Sequence, residues 1–188
     1  MLHRKRILFA INSLAGGGAE RVLATLLAGS VPWRARYDIH LALLDDEPRA
    51  YDVPEWVTVH QLDARHKLLP SLTQLRALAR RLSPDATLSF LTRANIANGW
   101  AMAGRRRPWL ISERVNTSAH LGDAFAAKAM VRMVYPRAAH VIAVSEGVVA
   151  DLAANFGVAR ARMSAIANPV DHRRIAELAA EPPAAVPA

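Results

Sequence analysis

The chain has 188 residues, 52% of them hydrophobic and 21% charged, with a formal net charge of +8 and no cysteine. That length and mix suit a single α/β domain and exclude a disulfide framework or a cysteine-bearing metal site. The basic excess favours an anionic partner such as a phosphorylated substrate or an acidic membrane surface. Arginines on solvated faces would give the same count, and no nucleic-acid-binding motif accompanies them.

The first residues, Met1-Leu2-His3-Arg4-Lys5-Arg6, look like the basic start of a signal peptide. The apolar run behind them, Ile7 to Ile11, is shorter than the ~7–15 residues such a signal needs. No apolar stretch approaches the ~20 residues of a membrane span. A soluble cytoplasmic protein is the expectation, with peripheral contact at the inner face of a membrane as its extension.

A first strand is expected over Arg6–Asn12, followed by the loop Gly16-Gly17-Gly18 and a helix over Ala19–Leu27. Three glycines permit close backbone approach and positive φ, and the helix N-terminus adds free N–H groups and a positive dipole end. Such a loop suits phosphate or hydroxyl-rich ligands. It lacks the third glycine of the dinucleotide fingerprint, where Arg21 stands, and the Gly-Lys-Ser/Thr of a P-loop. A packing turn is the plainer reading of the same residues. A dinucleotide-dependent oxidoreductase, with Asp45 or Asp46 as the ribose acid, fails on this glycine spacing.

Further strands are expected at Tyr37–Leu44, Thr58–Leu62, Ala86–Leu91, Trp109–Glu113, His140–Val144 and Met163–Ala167. Helices are expected at Ser71–Leu82, Ala94–Ala103, Asp123–Tyr135, Glu146–Asn155 and Arg173–Ala180. The alternation implies βα units and a doubly wound, mostly parallel, Rossmann-like sheet. In the fourth helix Phe125, Ala126, Met130, Met133 and Val134 form an apolar face beside Lys128, Arg132 and Arg137. That pattern fits either a core helix or a basic amphipathic helix at an anionic membrane. Glu181 to Ala188, rich in Pro and Ala, reads as a linker after a terminal helix from 172, so the domain spans residues 1–171.

Parallel sheets bind ligands beyond the carboxyl ends of their strands. There the sequence sets Glu20 and Arg21 behind the glycine loop, Thr92, Arg93 and Asn95 after the fourth strand, and Ser112, Glu113, Arg114 and Asn116 at the fifth. Ser145 follows the sixth strand and Asn168-Pro169 the seventh. Ser145 is equally a helix cap, Asn168-Pro169 equally a turn, and Glu113 with Arg114 equally a structural ion pair.

The runs "GGGAERVL", "SERVNTS", "VIAVSEGVVADL" and "AIANPVD" together resemble the N-terminal half of family-4 retaining glycosyltransferases of the GT-B fold, over about residues 6–171. The resemblance implies two Rossmann-like domains across a cleft, this half holding a glycan or lipid-linked acceptor and an absent C-terminal half holding the nucleotide-sugar donor. It implies that Gly16, Gly17 and Gly18 floor the cleft near donor diphosphate and acceptor hydroxyl. It places Ser112, Glu113, Arg114 and Asn116 beside the transferred sugar, and Asn168-Pro169-Val170-Asp171 at the passage to the second domain. Glu113 and Arg114 are the expected catalytic pair; Gly16–Gly18, Glu20, Arg21, Arg93, Asn95, Asn116, Ser145 and Asn168 are the expected substrate contacts. Some relatives carry a histidine in the fifth-strand loop where Glu113-Arg114-Val115-Asn116 stand here, and His120 is not assigned its role. Without an Asp-x-Asp motif, neither metal nor cofactor is expected. The alternative is a non-catalytic accessory half of a two-chain transferase.

Overall fold

The computed structural model describes residues 4–170 and 172–180. Seven parallel strands lie in the order β3-β2-β1-β4-β5-β6-β7. They are β1 (Lys5–Ile11), β2 (Tyr37–Leu43), β3 (Val57–Gln61), β4 (Ala86–Phe90), β5 (Trp109–Glu113), β6 (His140–Ala143) and β7 (Met163–Ala165). The helices are α1 (Gly18–Ala28), α2 (Leu68–Leu82), α3 (Thr92–Met102), α4 (Thr117–Leu121), α5 (Phe125–Val134), α6 (Glu146–Phe156) and α7 (His172–Ala180). This is the doubly wound sheet expected. The strand order reverses between β1 and β4, which opens a crevice at their carboxyl ends.

Successive strand residues face opposite sides, and the two sides bury different helices. Leu8 and Ala10 of β1 and Ala42 of β2 pack with Leu75, Leu78 and Ala79 of α2 and with Ala94, Ala97, Ala101 and Met102 of α3. In register with Ala10 stand Ser89, Ile111, Val141 and Met163. The last three pack with Val131 of α5 and with Val148, Val149, Leu152 and Phe156 of α6. On the opposite side, Ile11, Ile39, Leu41, Leu43 and Phe90 bury Val22, Leu23 and Leu27 of α1.

Helix boundaries depart from expectation where local chemistry overrides periodicity. Helix α2 begins at Leu68 because Pro70 sits in its first turn, where a missing N–H removes no intrahelical bond. The expected Asp123–Tyr135 helix is α5 alone, closed by a 3-10 turn over Tyr135–Arg137 that Pro136 enforces. Helix α4 was not expected. Asp171, residues 1–3 and the expected linker at 181–188 lie outside the described residues. Among the described residues no helix is long and apolar enough to cross a membrane.

Candidate active site

At the β1–β4 reversal point lies a cleft of about 370 Å³ lined by Asn12, His66, Leu68, Leu91, Thr92, Arg93, Ile96, Val115, His120, Leu121 and Ala127. The ends of β1, β4 and β5 therefore supply its floor, and α2, α4 and α5 its walls. A second groove of the same volume, lined by Ile7, Phe9, Leu26, Trp33, Tyr37 and their neighbours, lies between α1 and the sheet. It is mainly apolar, with Ser30, Arg36 and Tyr37 as its polar members, and it lies away from the carboxyl ends of the strands. The cleft at the reversal point has both the position and the chemistry of a ligand site.

One wall is held by a buried ion pair. The Asp45 carboxylate, 2% exposed, binds the Arg93 guanidinium at both oxygens, and Arg93 also donates to Ser71 Oγ at 3.0 Å. The His66 N–H donates to Asp45 at 2.8 Å, and its ring stands 3.3 Å from the same carboxylate. Burial raises the Asp45 pKa, but the Arg93 and His66 hydrogen bonds outweigh it and leave it below the usual value. Arg65 and His66 take left-handed backbone, with φ of 49° and 57°. This bends the chain so that His66 reaches the cleft.

Beneath the floor lies a second network. Glu113 is fully buried. It accepts from Tyr135 Oη at 2.5 Å, from the Arg114 N–H at 3.1 Å and from Thr92 Oγ1 at 3.4 Å. Asn95 Nδ2 donates to Tyr135 Oη at 3.0 Å and to the Ser112 carbonyl at 3.2 Å, while Ser89 Oγ donates to its carboxamide oxygen. Burial pushes the Glu113 carboxyl above the usual range, against the pull of the Tyr135 hydroxyl and the Arg114 N–H. Burial and the adjacent Glu113 likewise push the Tyr135 phenol well up.

These contacts change the assignments drawn from sequence. Glu113 and Asn95 have no surface at the rim, so both hold the cleft's framework from below instead of meeting a ligand in this conformation. Arg114 is half-buried and forms no ion pair with Glu113. Its guanidinium donates to Asn168 Oδ1 at 3.1 Å and to the Ile166 carbonyl at 3.3 Å, and lies 5.5 Å from the centre of the Phe90 ring. Burial lowers its pKa, with Glu113 acting the other way. Arg114 thus ties Asn168, after β7, to the end of β5. Asn116 caps α4, accepting from the Ala119 N–H at 2.9 Å, and Ser145 caps α6, accepting from the Val148 N–H at 3.4 Å. Two buried polar atoms at this rim, Asn12 Oδ1 and Arg114 Nε, have no hydrogen-bond partner among the described residues.

The glycine loop is exposed at the same edge. Its positive φ, +131°, falls at Gly16, whereas Gly17 has an ordinary φ of −84° and serves as the N-cap of α1. A Cβ at Gly17 would stand 2.1 Å from Glu20 Oε2, and one at Gly18 would meet nothing within 4 Å. The Glu20 carboxylate, three residues past the cap, therefore folds back over the N-terminus of α1 and occupies the place suited to an anion. Arg21 is exposed on the next turn of α1. Backbone strain accordingly singles out Gly16. Gly16→Val should cost roughly 1–2 kcal/mol through its φ, whereas Gly17→Ala should cost less because only the flexible end of Glu20 must move. Thermal melting of the two variants checks the order, and equal melting points would show that the loop adjusts freely.

His66 and His120 line the cleft without having been assigned to the site from sequence, and Thr92, which the sequence sets at this rim, lines it as well. His120 was passed over for its distance in sequence from Glu113, yet α4 turns it back into the cleft. Among the described residues no group of three or more His, Asp or Glu is placed to hold a metal ion.

A parallel doubly wound sheet with a cleft at its reversal point defines a Rossmann-like α/β domain. Residues 16–174 match the sequence profile of Glycosyltransferase Family 4, and the chain belongs to that family. It is 30% identical over 186 residues to the N-acetylgalactosamine-N,N'-diacetylbacillosaminyl-diphospho-undecaprenol 4-alpha-N-acetylgalactosaminyltransferase of Campylobacter jejuni. That match covers 91% of this chain and 50% of the relative, so the chain spans about half the length of the curated relative it matches. Anabaena HepE, solved with UDP, superposes with a TM-score of 0.66 at 21% identity, over 92% of this chain and 48% of HepE. The lipopolysaccharide outer core galactosyltransferase WaaB gives 0.65 at 16% identity, over 88% and 46%. At these identities both likenesses concern the fold.

Proposed function

We propose that this chain is the acceptor-side N-terminal domain of a retaining glycosyltransferase. The whole enzyme would move a sugar from a nucleotide-sugar, with UDP as the first candidate nucleotide, to a glycan or lipid-linked acceptor of surface-polysaccharide assembly. The observation that carries the reading is the cleft at the β1–β4 reversal point, walled by α2, α4 and α5 and lined by the polar side chains of Asn12, His66, Thr92, Arg93 and His120. The Campylobacter relative, named for transfer to a diphospho-undecaprenol-linked sugar, supports a lipid-linked acceptor.

In this scheme an acceptor hydroxyl lies in the cleft against Asn12, Thr92 and His120. Its oxygen bonds to the anomeric carbon as the bond from that carbon to the donor diphosphate breaks, and the hydroxyl proton leaves with the nucleoside diphosphate. The transition state carries positive charge on the sugar and negative charge on the leaving group, and is stabilised electrostatically. The glycine-loop N–H groups meet that negative charge once the Glu20 carboxylate swings away. Arg93 and Arg114 stand at the same rim, Arg93 held by Asp45 and Arg114 by Asn168. Glu113 acts as a positioning residue, fixing Thr92 above it and the Arg114 backbone beside it. No metal or cofactor enters the scheme, and transfer should survive excess EDTA. The reaction belongs on the cytoplasmic side, where nucleotide-sugars are available.

The donor groups lie on the partner half in this reading. The 188-residue chain should therefore fold, yet show no transfer with a panel of UDP- and GDP-sugars that a two-domain form turns over. Turnover by the short chain alone would overturn the two-domain reading.

A further inference from the structure

We propose that His40 and His60 form a one-proton clasp that fastens the edge strand β3 to β2 near neutral pH and releases it in acid, loosening with it the Asp45 wall of the cleft. The two rings lie on the side of the sheet that α2 covers, since His40 stands two residues before Ala42 and His60 pairs with Ala42. They are stacked, 5.1 Å between centres and 22° between planes, with His40 Nδ1 2.9 Å from His60 Nε2. His40 is 7% exposed, and its Nε2–H donates to Asp38 Oδ2 at 3.2 Å.

This geometry fixes how many protons the pair can hold. With Nε2 of His40 given to Asp38, one proton lies between the two facing nitrogens, donated by one ring and accepted by the other. When both rings are charged, each facing nitrogen carries its own proton, so N–H is set against N–H and cation against cation. The hydrogen bond is then lost.

The surrounding charges make the second proton hard to place. Asp38 on β2 stands behind His40 and is itself held by the Arg6 guanidinium of β1 at 3.2 Å. Asp85, ahead of β4, is taken up by the Arg6 backbone N–H and by Arg107. From α2 the Arg81 guanidinium acts on His60. Burial, His40 and Arg81 together hold the His60 imidazole below its ordinary value near 6.5. A base whose pKa is lowered on folding favours the folded state above the free value, and that contribution is lost as pH falls through the folded value.

Strand β3 ends the sheet and pairs with β2 alone. Beyond it the chain is stitched to the end of β2 that carries Asp45. Gln61 Nε2 donates to the Asp45 carbonyl at 2.7 Å, and the Leu62 and Ala64 N–H groups to the Leu43 and Leu44 carbonyls at 2.9 and 2.8 Å. The His66 N–H then reaches the Asp45 carboxylate, which holds Arg93. Freeing β3 therefore frees the segment that positions this pair. The release is independent of what the cleft binds; its effect on a ligand rests on the reading of the cleft as an acceptor site.

The test combines hydrogen exchange with histidine-ring NMR on the 188-residue chain. From about pH 7 to 5, protection of the β3 amides bonded to β2 should fall at least about ten-fold more than that of β4. The His60 ring should titrate below 6.5. His60→Gln keeps an N–H for His40 Nδ1 but takes up no proton, and should remove the fall. His140→Gln, on β6, should leave it within about two-fold. The proposal is overturned if the His60→Gln chain keeps the parent's pH dependence, if β3 and β4 lose protection together, or if the His60 ring titrates at or above its ordinary value. Should the Gln chain not fold, the parent's ring titration and its β3-to-β4 protection ratio decide. A short-chain polyprenyl diphosphate carrying one sugar should bind the parent more weakly in acid than it binds the Gln chain. Absence of its binding at every pH would count against the acceptor reading alone.

Discussion

Glu113→Leu is expected to lower stability by about 3 kcal/mol or more. The leucine fills much of the same volume but accepts no hydrogen bond, leaving the buried Tyr135 hydroxyl, the Arg114 N–H and the Thr92 hydroxyl without their acceptor. An orphaned buried donor costs roughly 1–3 kcal/mol. In a domain of this size that corresponds to a melting-point drop of at least about 6 °C. Glu113→Gln keeps an acceptor for Tyr135 and should lose far less.

The same pair of variants reads the titration. Burial holds the folded Glu113 pKa above the value near 4.5 of a free glutamate. A carboxyl with a raised folded pKa favours folding where it is protonated. Its contribution is complete below that free value and is lost as pH rises through the folded pKa. Glu113→Gln removes this dependence, so melting points of the parent and Gln chains should shift in favour of Gln as pH climbs from about 4 to 8. A gap that stays constant with pH would show that the carboxyl titrates as if exposed.

Asp45→Ala carries the second large effect. It strips the partner from Arg93, whose side chain is 17% exposed, and removes the acceptor of the His66 N–H. Breaking one side of a buried pair costs about 3 kcal/mol or more. The pH dependence has the opposite sign to that of Glu113. The Asp45 pKa is depressed on folding, so its stabilisation is present above the free value near 3.8 and fades as pH falls through the folded value. In a two-domain form, Asp45→Asn should also raise KM for acceptor, because Arg93 would no longer be fixed at the cleft wall. A variant that melts normally and binds acceptor normally would show that the pair bears on neither.

Strand positions were legible because parallel strands buried on both sides read as short apolar runs. Trp109–Glu113 agrees at both ends and the other strands agree to within two residues. The direction of the rim side chains was legible too, from alternation that the site assignment left unused. Glu113 is two residues past fully buried Ile111, so it shares the face covered by helices and turns inward. Asn95 and Asn98 stand three apart on the buried stripe of α3, where carboxamides bond to β4 and β5. Other features had no local signal. Helix α4 is five residues without apolar periodicity, made visible by its Asn116 cap and the bond from Ser118 to Asp151 of α6. The Asp45–Arg93 pair spans 48 positions and exists only because β2 and α3 meet at the reversal point. His66 reaches the cleft through two consecutive left-handed residues that no glycine announces.

The central claim, that the β1–β4 cleft receives the acceptor, is tested most directly by amide NMR of the isotope-labelled 188-residue chain. The titrant is a short-chain polyprenyl diphosphate carrying one N-acetylated sugar, with the same lipid diphosphate lacking sugar as control. The account predicts saturable shifts at Asn12, Thr92, Arg93, Val115 and His120, larger with the sugar than without it. Shifts centred instead on Phe9, Trp33 and Tyr37, in the apolar groove beside α1, would contradict it.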